Sequence, residues 1–206
     1  MTNKINENSG VYVQGHIKIH DPKSGEIFVN KKNAIHYENM SIALAESLGN
    51  AGQGPIAVMS FGNGGTNIDS TGVITYLTPN STGTNAGLYN QTFSKIVDDR
   101  NTDNNDPTRN RIETRHLNGT NYTDIVISCL LDYGEPNGQD AFDTASDADN
   151  AFVFDELGLR SASSDGVLGN GRLLTHVIFH PVQKSLNRLI QVDYTVRVQS
   201  LSGGNS

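Results

Sequence analysis

Period-two alternation of apolar and polar side chains at both ends of the chain is the strongest constraint on its fold. In residues 11–20, Val11, Val13, Ile17 and Ile19 fall on one face, and Tyr12, Gln14, His16, Lys18 and His20 on the other. In residues 190–199 the pattern is cleaner, with Ile190, Val192, Tyr194, Val196 and Val198 alternating with Gln191, Asp193, Thr195, Arg197 and Gln199. Both segments read as half-buried strands, because successive side chains of a strand point to opposite faces. Between residues 20 and 26, Asp21-Pro22-Lys23-Ser24-Gly25 supplies turn chemistry, and residues 26–30 return as the second strand of a hairpin.

One stretch, residues 38–48, has helical spacing through Met40, Ala43, Leu44 and Leu48, with Gly49 at the C-cap. Further short strands are expected at 56–61, 72–77, 91–97, 111–117, 153–159 and 173–180, each bounded by Gly, Pro, Asn, Asp or Ser. Residues 125–133 are apolar on both faces and read as a strand central in its sheet. About ten strands at this spacing predict an all-β antiparallel sandwich or jelly-roll-like barrel. At 206 residues the chain has the length of a single domain, placed at 11–201, with 1–10 expected as a flexible arm and 202–206 as a flexible tail. Three long polar loops, 78–90, 98–110 and 134–151, exceed the usual length and are the first places to look for partner contacts. Together with the termini they are where a neighbouring sheet edge could be met.

Charge narrows the partners. With 15 cations against 22 anions, a net charge of -7, the chain lacks the basic surplus of a nucleic-acid binder. Lys23, Lys31 and Lys32 form a small basic group; Arg100, Arg109, Arg111 and Arg115 surround an aspartate-bearing loop and read as local ion-pair partners across a protein interface. The start, MTNKINENSG, has no apolar run of signal-peptide length, and no window approaches the ~20 apolar residues of a membrane span, so the expectation is a protein made and retained in a cytoplasm, with no membrane partner. Cys129 stands alone in an apolar run and reads as a packed thiol.

Each chemically suggestive pattern meets a structural objection. The run Ser60-Phe61-Gly62-Asn63-Gly64-Gly65-Thr66 lacks the Lys-Ser/Thr of a phosphate loop and leads into a strand, so it reads as a tight turn. His176 and His180 on a strand would stand about 13 Å apart, too far for one metal ion, and read as partly exposed sheet histidines; His16 and His20 meet the same objection. Asp98, Asp99, Asp103 and Asp106, and Asp143, Asp147 and Asp149, lack the twelve-residue calcium-loop pattern and read as solvated acidic loops. Asp132 with Glu135, and Asp155 with Glu156, could form acid/base pairs, but no nucleophile stands near either. Ser161-Ala162-Ser163-Ser164 lacks the context of a hydrolase nucleophile. Tyr76, Tyr89 and Tyr122 could serve as stacking platforms for a sugar. No catalytic, cofactor or metal residues are expected.

The order of elements carries a resemblance. The series "NKKNAIHYENMSIALAESL", "IAVMSFGNGGT", "TGVITYL", "LYNQTFSKIVDD", "YTDIVISCLLDYGEP", "FDELGLR" and "RLLTHVIFHPVQKSLNRLIQVDYTVRVQSL" resembles small β-sandwich structural proteins of tailed-phage virions, particularly contractile-tailed phages of marine and cyanobacterial hosts. The resemblance spans residues 15–201. It implies a non-enzymatic virion component, assembled in the host cytoplasm in repeated copies of a symmetric particle, with other phage structural proteins as partners and no cofactor. Neck, tail or baseplate is the implied place, with capsid decoration or a carbohydrate-binding module of a fibre as alternatives. Within these motifs, Pro181 is expected to end its strand; Phe154, Leu157 and Leu159 are expected in the core; Asp155 and Glu156 mark a strand start or bulge.

Overall fold

The computed structural model describes residues 10–136, 151–185 and 187–201. The expected flexible arm and tail lie outside these residues except for Gly10, which already belongs to the first strand. The strands are β1 (Gly10–His20), β2 (Ile27–Ile35), β3 (Ile56–Gly62), β4 (Thr66–Ile68), β5 (Ile74–Tyr76), β6 (Gln91–Ile96), β7 (Arg111–His116), β8 (Tyr122–Leu131), β9 (Ala151–Ser161), β10 (Thr175–Ser185) and β11 (Ile190–Leu201). The helix α1 (Tyr37–Leu48) follows β2. Nine strands form one antiparallel sheet in the order β6-β3-β9-β10-β2-β1-β11-β8-β7, and β4 and β5 form a separate hairpin.

The sheet curls into a sandwich-like all-β fold, with its corner where β10 meets β2. That junction is held by Thr175 opposite Ile35 and His176 opposite Ala34 alone, whereas β1 pairs with β11 from Gly10 opposite Leu201 to His20 opposite Gln191. The two flanks close on one core, in which Met59, Phe61, Phe154, Leu157 and Leu159 pack in the same cluster as Ile17, Ile19, Ile127, Val192 and Tyr194. The terminal alternation is thus realised, with Ile17 and Ile19 facing inward opposite Tyr194 and Val192. Phe154 organises the aromatics, meeting Phe61 edge-on at 5.4 Å, Phe179 edge-on at 5.7 Å and Phe152 in a stack at 5.6 Å.

Several boundaries differ from expectation for local reasons. β2 runs five residues past Asn30, because Lys31, Lys32 and Asn33 continue the ladder opposite Ile17, His16 and Gly15 of β1, and Ala34 and Ile35 pair with His176 and Thr175 of β10. α1 begins at Tyr37 behind an N-cap His36, whose Nδ1 accepts from the Asn39 amide at 3.2 Å. Gly49 is the C-cap but stays right-handed, and the left-handed turn falls on Asn50 with φ 48°. β4 is too short to announce itself by periodicity. β8 is flanked on both sides but lies next to the edge strand β7.

Pro181 does not end its strand. β10 continues to Ser185, and the proline sits where the register against β9 shifts, between Ile178 opposite Glu156 and Val182 opposite Phe154. A residue without an N–H is tolerated in a strand at such a bulge. The same irregularity explains why Phe154 and Leu157, three residues apart, both point into the core.

Close backbone approach makes Gly158 of β9 irreplaceable. A Cβ there would lie 2.4 Å from the Thr175 carbonyl oxygen and 2.6 Å from Leu173 Cδ1. Gly158→Ala is expected to lower unfolding stability by about 1–3 kcal/mol through overpacking, read as a lower denaturant midpoint with unchanged slope.

Candidate functional site

The densest polar cluster is buried in the middle of the sheet. β9 is flanked by β3 and β10, and both Asp155 and Glu156 are inaccessible to solvent. Burying a carboxylate without partners is prohibitive, so each must find donors within the fold. Glu156 accepts four hydrogen bonds: from the amides of Gly64 (3.1 Å), Asn90 (2.8 Å) and Tyr89 (2.9 Å), and from Nε2 of the equally buried His176 (2.9 Å). Asp155 accepts from the amides of Gly65 (2.9 Å) and Thr66 (2.8 Å) and from the Thr66 hydroxyl.

The glycine-rich turn therefore does bind carboxylates through its backbone amides, but they belong to the same chain. Its glycines are required by contact: a Cβ on Gly62 would lie 2.6 Å from Glu156 Oε1, and one on Gly64 would lie 2.7 Å from the Asn90 amide nitrogen. Loop 78–90, expected as an open binding loop, is docked by the same cluster. The Asn80 amide donates to His176 Nδ1 at 2.8 Å, and Leu88 is buried. His176 is thus wholly buried, where a partly exposed histidine was expected, while His180 is exposed.

The two neighbouring carboxyls are driven in opposite directions. Burial opposes ionisation of Glu156, but its hydrogen bonds from His176, Asn90 and Tyr89 outweigh it and hold the carboxyl below its ordinary range. At Asp155 burial wins over the Thr66 and Gly65 donors, with the charge of Glu156 adding to it, and the carboxyl is raised. Arg160, on the same strand, is buried and pushed down to about 10 by desolvation, against the attraction of Glu156. Its Nη1 donates to the Gly171 carbonyl at 2.8 Å and its Nε finds no partner.

A second polar concentration lines an open groove of about 610 Å³ bordered by Phe93, Lys95, Asp106, Arg109, Asp132 and Glu135. Here the expected pair Asp132 and Glu135 does come together, since Glu135 accepts from the Asp132 amide at 2.9 Å. Each carboxylate is also held by a cation: Asp132 by Arg109 at 2.5 Å, and Glu135 by Lys95. The Tyr133 amide, followed by Arg109, keeps the Asp132 carboxyl below its usual range despite partial burial, which suits an ion pair better than a proton donor. Beside them Lys184 is buried and pushed down to about 8 by desolvation, its Nζ donating to the Ser185 carbonyl at 2.7 Å.

The remaining candidates are dispersed. Asp98 and Asp106 pair with Arg100 and Arg109, while Asn104 and Asn110 tie loop 98–110 to itself and to the Leu130 amide. The arginines expected to pair across an interface thus find partners in their own chain, including Arg111 and Arg115 with Glu113. Asp143, Asp147 and Asp149 lie outside the described residues. Among the described residues no three His, Cys, Asp or Glu side chains are grouped to hold a metal ion. The Lys23, Lys31 and Lys32 group is split, with Lys23 over the Tyr133 ring at 5.1 Å and Lys31 turned to β10. Ser161 is buried and bonded to the Arg172 amide and the Ala162 carbonyl; Ser163 pairs with Asp165. His20 pairs with Asp193 at 2.9 Å. Cys129 is buried and its thiol is pushed up to about 12 by desolvation, so it stays protonated and inert. Arg197 covers the Tyr122 ring at 3.8 Å and Tyr89 packs on His176 at 5.7 Å, while Tyr76 is half exposed.

Glu156→Gln is expected to cost roughly 3 kcal/mol, because whichever way the amide is turned, its NH₂ faces two buried donors. The pH dependence follows from the directions of the shifts. Glu156, depressed in the fold, contributes stability that is present above its unfolded pKa and lost as pH falls through its folded one. Asp155, raised in the fold, contributes in the opposite sense: its contribution is lost as pH rises through its folded pKa. Urea midpoints measured from neutral to acid pH should therefore fall less steeply in Glu156→Gln than in the unaltered protein. No protein-family model, curated protein or solved structure matches the chain.

Proposed function

We propose that the protein is a non-catalytic structural subunit of a tailed-phage virion, assembled in the host cytoplasm and acting through contacts with other particle proteins in the neck, tail or baseplate. Capsid decoration is the alternative placement. The resemblance in the order of its sequence elements supports this reading. The structural observation that carries it is a stiff ribbon ending in exposed apolar side chains. β1 and β11 remain paired out to Gly10 and Leu201, and beyond the core Val11 is 64 % and Leu201 45 % exposed. Tyr12 on β1 and Leu117 after β7 are exposed as well. Apolar side chains held on a rigid backbone lose little entropy on docking, which favours them as contact anchors. The ionisable clusters, by contrast, are closed by partners within the chain.

A carbohydrate-binding role has less support, because Arg197 covers a face of the Tyr122 ring and the Tyr89 hydroxyl is engaged by the Thr78 carbonyl. Tyr76 alone stands at a shallow cleft with Phe28, Asn30 and His180.

Mass spectrometry of purified particles is expected to find this chain in stoichiometric amounts, and its absence would overturn the proposal. Val11→Glu combined with Leu201→Glu should change unfolding stability by less than about 0.5 kcal/mol, as surface substitutions do. The same pair should abolish incorporation into particles in a complementation assay. Normal incorporation of the double variant would remove the ribbon from the contact.

A further inference from the structure

The geometry around His176 points to a pH-dependent latch: we propose that residues 78–87 form a flap that acid releases from the sandwich. The Asn80 amide can only donate, so His176 Nδ1, 2.8 Å away, must be the unprotonated ring nitrogen. Nε2 then carries the hydrogen given to Glu156. The ring is a neutral imidazole in one defined tautomer, wholly buried between a carboxylate and a loop amide.

A second proton has a single place to go, on Nδ1. It would set two donors against each other across the distance that now holds the flap. The Nε2 side gains, because its bond to Glu156 becomes charge-assisted. The imidazolium therefore stays with β9 and the flap amide loses its acceptor.

The groups around the ring make this asymmetry sharper. β9 presents Glu156, with Asp155 and Arg160 on the same strand. The loop presents the Tyr89 ring. On the β2 side, Lys31 donates to Ile178 two residues along β10, and His36 caps the helix two residues beyond Ala34, the β2 partner of His176. Apart from the ring itself, the flap is held by Glu38, whose Oε2 accepts from the Gly83 amide at 3.2 Å in an exposed bond, and at its first residue by the Tyr89 hydroxyl, which donates to the Thr78 carbonyl.

The flap is stapled to itself, so it can leave as a unit. Asn80 Nδ2 donates to the Gly87 carbonyl at 2.8 Å and the Ala86 amide to the Gly83 carbonyl at 2.9 Å, while the Tyr89 hydroxyl, donating to the Thr78 carbonyl at 2.7 Å, hinges its base to the anchored end. At its far end Tyr89 and Asn90 remain anchored on Glu156. Release of residues 78–87 therefore uncovers the Glu156–His176 pair without requiring the sheet to open.

The test uses the unaltered protein. Nitrogen NMR of the His176 ring and amide hydrogen exchange are followed from about pH 8 to about pH 4.5, the range that brackets histidine titration. After correction for the intrinsic rate, Asn80 protection should fall at least about tenfold in step with protonation of Nδ1. The amides of Leu159 and Leu174, bonded to the Thr175 hydroxyl and the Leu159 carbonyl, should keep theirs. Glu38→Ala should lower Asn80 protection further at every pH, because the closed flap loses its bond at Gly83. The proposal is overturned if the ring keeps its Nε2–H form throughout, if it titrates with Asn80 protection unchanged, or if Leu159 and Leu174 open in the same step.

Discussion

Burial of two adjacent carboxyl groups in a central strand is the condition to which much of this structure responds. Asp155 and Glu156 lie on β9 between β3 and β10, 3 % and 0 % exposed. An unpaired buried carboxylate would cost several kcal/mol, a large share of the 5–15 kcal/mol that holds a domain together. The fold meets this with backbone amides, which come from the two segments that have them free: the turn 62–66 and the end of loop 78–90. Two loops that would otherwise lie free on the surface are thereby docked onto the sheet. The hydrogen bonds gained are individually modest, but breaking any one leaves a buried group unsatisfied, so the cluster acts as a whole.

The position of these groups is linked to the corner of the sandwich. β9 can direct both Asp155 and Glu156 toward donors only because its register against β10 breaks there, at the bulge that accommodates Pro181. A few residues earlier β10 leaves β9 and meets β2, through His176 opposite Ala34. One short stretch of β10 thus supplies the bulge, the histidine that holds Glu156, and the junction between the two flanks. A uniformly paired β10 would send one carboxyl into the hydrocarbon core occupied by Phe154 and Leu157.

The flanks of this architecture were legible in the sequence because alternation reports directly on a face. Ile17, Ile19, Val192 and Tyr194 needed no partner to be assigned inward, and Met40 and Ala43 marked the buried side of α1. The cluster at β9 was not legible in the same way. Asp-Glu inside Phe-Val-Phe-Asp-Glu-Leu-Gly-Leu breaks the period, which suggested a bulge, but nothing local names the donors: the backbone amides come from segments 66 to 92 residues away in the chain, and His176 from 20 residues away. The available signal was the coincidence of two facts: ionisable groups in a strand too apolar to reach water, and a glycine-rich turn with amides and no phosphate motif to use them. Pro181 misled for a related reason, since its missing N–H terminates a regular strand but fits a bulge created by another strand's side chains.

The edges of the sheet bear on how such a body could meet its neighbours. β7 carries Arg111, Glu113 and Arg115 in a linked row of charges, a surface poorly suited to accepting another strand. β6 is approached by the turn at Gly169, whose carbonyl accepts from Gln91 at 3.3 Å and where a Cβ would lie 2.5 Å from Ser94 Oγ. Both lateral edges are thereby discouraged from extending the sheet. Loops 78–90 and 98–110, where partner contacts were first sought, are tied to their own chain through Asn80, Asn104 and Asn110. At the end of the β1–β11 ribbon, among the described residues, Val11, Tyr12 and Leu201 are exposed. Contacts made there would be end-on and dominated by side chains, so their geometry would be set by the stiffness of the ribbon and not by continuing a hydrogen-bond ladder into the next subunit.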